Sequence, residues 1–291
     1  MQRLERISNS EKNIDELYSV FNSIDGNTIP MIRVSIDVGA FVVRQRINIK
    51  DQSFSNVSDL SYPPVHCCKS YGRANLPYHP MFYCCSFSTE KDAPLPRYVT
   101  LLETSDFIKD TESTGIQRST CSRWDVIDRL ELLALPFSDN YERTIAEIKQ
   151  IKDEWKELTT KTNINKDALE LVNYMSNEIA KNSTGDIDYF KIANFIYYLL
   201  YINKNTCNYD GVIYPSVAAA GEGFNVVLKP ESADKKLSFN AASLCYLIKK
   251  CKKAELYVVN HSTGKSEDGC LTFIPQEDFD NHICEGYSFI N

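Results

Sequence analysis

The feature that most constrains this chain is a block of helical periodicity set between two strand-like stretches. Ile145, Ile148, Ile151, Trp155 and Leu158 recur at helical spacing within 140–158, and similar segments follow at 167–180 and 189–202. Before the block, β-branched and aromatic residues cluster at 33–49, notably Phe41-Val42-Val43, then at 81–85, around 99–103 and at 126–135. After it, 211–214, 224–228 and 256–259 read as strands and 243–252 as a helix with a basic end. A short helix at 14–24, with Leu17, Val20, Phe21 and Ile24 on one face, precedes all of this and ends at Gly26-Asn27. Residues 163–167 and 182–186 break the later helices. This β-rich, helical, β-rich order predicts a single α+β domain with a helical segment between the halves of its sheet. Residues 50–80, with several prolines and little periodicity, read as a long loop of the kind that often carries function.

A chain of 291 residues buries a core without cross-links. Its acidic residues outnumber its basic ones by 39 to 32, a net charge of -7, so no broad cationic field draws nucleic acid or an anionic membrane. An anionic ligand must therefore meet a local cationic site. Four of the ten cysteines stand as adjacent pairs, Cys67-Cys68 and Cys84-Cys85, which are poorly placed to bridge each other and point to a reducing compartment. The N-terminus has no apolar signal core, and the longest apolar run, 195–202, is too short to cross a bilayer, so a cytoplasmic protein is expected.

Two distractions are set aside. His66-Cys67-Cys68, His79 and Cys84-Cys85 offer soft ligands, but adjacent cysteines do not readily face one tetrahedral ion and no Cys-x-x-Cys spacing occurs. Buried free thiols, with no metal, are the expectation. The basic run from Lys249 to Lys253 reads as the complement of a helix dipole rather than as a nucleic-acid patch.

Three further stretches matter for their order along the chain. The first is Val43-Arg44-Gln45-Arg46-Ile47. The second runs from Tyr71-Gly72-Arg73-Ala74-Asn75, through Pro80-Met81-Phe82-Tyr83, to Leu101-Leu102-Glu103. The third is Asp210-Gly211-Val212-Ile213-Tyr214-Pro215-Ser216 followed by Gly223-Phe224-Asn225-Val226-Val227-Leu228. Each is weak alone; in this order they resemble the RES domain, a bacterial family named for its arginine, glutamate and serine. The resemblance covers roughly residues 33–260. Gln45 and Ala74 stand where family members commonly carry aromatics.

The resemblance implies an ADP-ribosyltransferase-like fold, with a mixed or antiparallel sheet core and an embedded helical segment. It frames the chain as an N-terminal helical extension (1–30), a catalytic domain (31–260, helical at about 140–202) and a C-terminal extension packed on it (261–291). It also implies an enzyme that consumes NAD+ as substrate, without a further cofactor, by cleaving the nicotinamide–ribose bond through phosphorolysis or hydrolysis. Phosphate is then a possible co-substrate, and an antitoxin protein the partner of a toxin. Transfer of ADP-ribose to a protein is one alternative; a catalytically silent nucleotide-binding or partner-binding module is another.

Physical chemistry matches roles to residues. Bond cleavage builds positive charge at the ribose anomeric carbon, which a fixed carboxylate, Glu103, stabilises. Arg44 and Arg73 suit the diphosphate, because a guanidinium offers paired N–H donors. Arg46 shares a strand face with Arg44; of the two, Arg44 is preferred as the functional arginine. Ser216, after a proline, can hold Glu103 or the ribose. Tyr83 and Tyr214 can pack on a base ring. Asn75 and Asn225, from the loop and the closing strand, complete the expected binding set.

Overall fold

A computed structural model describes residues 2–25, 29–86, 95–135, 145–161, 164–181, 186–250 and 253–290. Its strands are β1 (Ile32–Ile36), β2 (Phe41–Ile47), β3 (Phe82–Ser86), β4 (Gly115–Val126), β5 (Leu130–Ala134), β6 (Gly211–Pro215), β7 (Phe224–Leu228), β8 (Leu237–Lys250), β9 (Lys253–Thr263) and β10 (Ile274–Pro275). The helices are α1 (Gln2–Arg6), α2 (Ile14–Asp25), α3 (Val57–Leu60), α4 (Pro96–Thr104), α5 (Asp106–Lys109), α6 (Ala146–Lys161), α7 (Lys166–Ile179), α8 (Phe190–Tyr197) and α9 (Pro230–Lys236). The fold is mixed α+β. All ten described strands form one open sheet, ordered β1-β5-β6-β7-β3-β2-β4-β8-β9-β10.

Among the pairings between these strands only β5–β6 is parallel; the rest are antiparallel. Parallel neighbours need a long crossover, and α6, α7 and α8 all lie between β5 and β6 in the chain. The central helical periodicity thus marks that crossover. Asn165 starts α7 by accepting from the amides of Asp167 at 2.8 Å and Ala168 at 3.4 Å. A 3-10 turn leads into α8, and a π turn over Tyr198–Ile202 follows it. The main core lies between these helices, α2 and one face of the sheet: Phe21 meets Phe195 edge-on at 5.5 Å, and Phe82 meets Trp124 at 5.3 Å.

Several expectations need correction. Residues 99–103 belong to α4: Pro96 occupies the first turn, where its missing N–H costs nothing, and Val99, Thr100 and Leu101 behind it are buried as the helix lies against β2 and β3. Residues 243–250 belong to β8, because pairing on both sides, with β4 and β9, overrides the helix-like spacing of Leu244, Leu247 and Ile248. Of the basic run, Lys249 and Lys250 therefore end β8 and Lys253 begins β9, at no helix end. Lys249 is buried there, donating to the Phe107 carbonyl at 2.9 Å and to Ser113 at 3.1 Å. Strand 126–135 is two strands parted by residues 127–129, and loop 50–80 contains α3 and a 3-10 turn. Cys84 and Cys85 are buried thiols, but Cys67 is exposed and Cys68 only partly covered. The breaks read at Gly26-Asn27, Asn163 and 182–185, the helix start at 140–144 and the Cys251-Lys252 pair fall outside the described residues. No helix among the described residues is long and apolar enough to cross a membrane.

Candidate active site

The site opens where the sheet comes apart. β2 and β3 pair over only two couples, Val42 with Ser86 and Val43 with Cys85. There the ladder stops, and the Tyr83 carbonyl is taken instead by Arg44 Nη1 at 2.8 Å. Beside this gap lies a cleft of about 560 Å³, walled by Arg44 and Gln45 of β2, Tyr83, Cys84 and Cys85 of β3, and Glu103 of α4. Tyr214, Asn225, Arg73, Tyr189 and Lys109 add to its polar and aromatic lining.

Glu103 reaches the cleft because α4 packs tightly against the turn between β6 and β7. A Cβ on Gly223 would come within 2.8 Å of Val99 Cγ2, one helical turn before Glu103. Glu103 Oε1 then accepts from Ser216 Oγ at 2.6 Å, Asn225 Nδ2 at 2.8 Å and the Ala218 amide at 3.4 Å. Ser216 is wholly buried, and its hydroxyl also accepts from the Ala219 amide at 3.0 Å. The carboxylate is one of the two partners expected of Ser216. Glu103 Oε2 accepts from no group among the described residues, leaving one oxygen for a ligand.

The arginines divide. Arg44 sits over the Phe82 ring at 5.6 Å, and its buried Nε has no hydrogen-bond partner among the described residues. Burial first, and Arg46 second, pull its pKa down to about 10, so it stays cationic at neutral pH. Such a group favours an anion beside it. Arg73 also lines the cleft, yet its Nη1 donates to the carbonyls of Ile179 and, at 2.9 Å, Lys181, while its guanidinium lies 5.1 Å from the centre of the Tyr189 ring. It ties the 70s loop to the end of α7. Arg46 is turned elsewhere, donating to the Asp59 carbonyl over the Phe54 ring.

Asn75 shapes the loop rather than the cleft wall. Its Nδ2 donates to the Leu76 carbonyl at 3.1 Å and its Oδ1 accepts from Tyr83 at 2.9 Å, over a Gly72 that has no room for a Cβ. The Tyr83 hydroxyl also accepts from the Ala74 amide at 2.9 Å. Burial pushes the hydroxyls of Tyr83 and Tyr214 well above the usual phenol range, keeping both neutral. Gln45 donates to Ser119 at 2.7 Å and accepts from Thr100 at 3.1 Å, fastening β2 to β4 and α4.

Sequence reasoning missed Gln45, Thr100, Thr104, Lys109 and Tyr189 as lining residues. Reading 99–103 as a strand hid the signal: on a helix, Thr100 precedes Glu103 by one turn and faces the same wall. Among the described residues no three His, Cys, Asp or Glu side chains are grouped to hold a metal ion. The chain can offer the cleft cations, neutral aromatic rings and one restrained carboxylate, a set suited to an anionic ligand that develops positive charge elsewhere. It matches no protein-family model and no curated protein, so the function has to be read from these atoms.

Proposed function

We propose that this chain is an NAD+-consuming enzyme of ADP-ribosyltransferase-like fold that cleaves the nicotinamide–ribose bond by phosphorolysis or hydrolysis. The observation that carries this reading is Glu103, held through one oxygen by three donors in a cleft that also holds Arg44, Arg73 and Lys109. A fixed carboxylate is what a ribose oxocarbenium requires, because its field is already oriented when the charge develops. The cations answer the diphosphate, and Tyr83, Tyr189 and Tyr214 offer rings to a base. At about 560 Å³ the cleft lies within the usual size of ligand sites.

In this mechanism Glu103 Oε2 faces the ribose, Arg44 neutralises phosphate oxygens, and nicotinamide leaves as the ribose bond breaks. The acceptor at the anomeric carbon is phosphate or water. The test is nicotinamide release from NAD+ by purified protein, with and without phosphate, and identification of the ADP-ribose product. Glu103→Gln is expected to lower turnover by at least roughly 100-fold while leaving the fold intact. Equal turnover in both proteins, or none in wild type, would overturn the reading. Tight NAD+ binding without turnover would favour the silent binding module, which Gln45, committed to Ser119 and Thr100, specifically supports.

A further inference from the structure

We propose that Asn225 is a positioning residue: its side-chain amide, held in one orientation between the Cys85 thiol and the Glu103 carboxylate, orients that carboxylate rather than binding a ligand. The catalytic half of this inference rests on the NAD+-cleaving reading; the orienting half does not.

The sheet places the participants. β3 and β7 pair Cys85 directly with Asn225, and both are almost fully buried. Cys85 Sγ donates to Asn225 Oδ1 at 3.4 Å, while Asn225 Nδ2 donates to Glu103 Oε1 at 2.8 Å. A carboxamide has a donor end and an acceptor end; the Glu103 carboxylate can only accept, so it takes the N–H end and leaves Oδ1 to the Cys85 thiol. Turned over, the amide would set its carbonyl oxygen against a carboxylate oxygen, and the thiol would lose its acceptor.

The thiol is a dependable donor, since burial, with Glu103 and Cys84 nearby, holds its pKa far above the usual thiol range. The relay therefore runs one way, from Cys85 to Asn225 to Glu103. Ser216 and the Ala218 amide approach the same carboxylate oxygen from the turn after β6. Together the three donors saturate Oε1, so the ligand is left with Oε2.

Two measurements test this: steady-state turnover of NAD+, and the side-chain amide spectrum of protein labelled with nitrogen-15 in asparagine. Asn225→Leu and Cys85→Val are expected to lower kcat by roughly 10- to 100-fold with KM little changed, whereas Cys85→Ser, which keeps a donor, stays within about threefold of wild type. In the spectrum, one Asn225 N–H proton is expected to resonate downfield. It should return to the ordinary range in Glu103→Ala, stay in place in Cys85→Ser and broaden or split in Cys85→Val.

A raised KM with unchanged kcat in Asn225→Leu would make Asn225 a ligand-binding residue and overturn the proposal. So would a Cys85→Val protein whose spectrum matches wild type. Should wild type turn over no NAD+, the catalytic half fails with the NAD+ reading, and the spectra alone decide the orienting role. If Cys85→Val does not fold, loss of the downfield signal in Cys85→Ser would equally overturn the lock.

Discussion

Arg44 shows what the cleft demands of one side chain. A guanidinium with an unpartnered buried Nε and a depressed pKa is a poor contributor to stability, because the charge has left water for incomplete replacement bonds. Replacing it with an apolar chain of similar length removes that cost, against which stands the loss of the Nη1 bond to the Tyr83 carbonyl. Arg44→Met is therefore expected to unfold within about 1 kcal/mol of wild type, or to be more stable, while losing affinity for NAD+ and inorganic phosphate. Urea melts paired with titration calorimetry check both; a loss of about 3 kcal/mol or more would mark Arg44 as chiefly structural. At this scale much of the site was legible, since the order of the three motifs singled out Arg44, Glu103, Ser216 and Asn225. Lys109 and Tyr189 were not, because they reach the cleft only through the packing of α5 and the 3-10 turn before α8.

Among the elements, α4 matters most for the chemistry, and its seat depends on the bare backbone of Gly223. Val99 is β-branched and stiff, so a methyl placed 2.8 Å from its Cγ2 forces the helix outward rather than merely turning a side chain. Gly223→Ala is expected to destabilise the fold by about 1–3 kcal/mol and to lengthen the Glu103–Ser216 contact. Adding Val99→Ala should restore part of the loss, and a double-mutant cycle in urea that gave strict additivity would refute the contact. The same scale shows where sequence periodicity fails. β4 left no legible pattern because Gln117, Ser119, Thr120 and Ser122 are buried in it, bonded or paired between two neighbouring strands. β8 looked helical because Leu244, Leu247 and Ile248 repeat at helical spacing, a local preference that pairing with β4 and β9 outweighs. Of the crossover helices, α6 and α7 were legible because each buries one face and leaves the other wet, whereas α8 is buried on nearly every side and shows in the sequence as a mostly apolar run.

At the scale of the whole molecule, the C-terminal tail is fastened to β4 and packs on the apolar cluster that seats α4 and α5. Ile116 donates to the Ser288 carbonyl at 3.0 Å and accepts from the Ile290 amide at 2.8 Å. Phe289 covers Arg118 at 4.2 Å, and Ile290 packs with Leu101 of α4 and Phe107 of α5. Removing residues 286–291 is expected to cost about 1–3 kcal/mol and to raise hydrogen exchange across 96–109 more than across α7. Uniform exchange throughout would show that the tail acts on no particular element.

The crossover between β5 and β6 has a consequence for the protein's own synthesis. Arg44, Tyr83 and Glu103 precede it, whereas Tyr214, Ser216 and Asn225 follow it, and the bonds from Glu103 to Ser216 and Asn225 span 113 and 122 residues. A nascent chain still on the ribosome holds an unrestrained glutamate until β7 has emerged and paired with β3. On the proposed NAD+-consuming reading, the chain would thus be silent throughout most of its own translation and become active only in the last stages of folding.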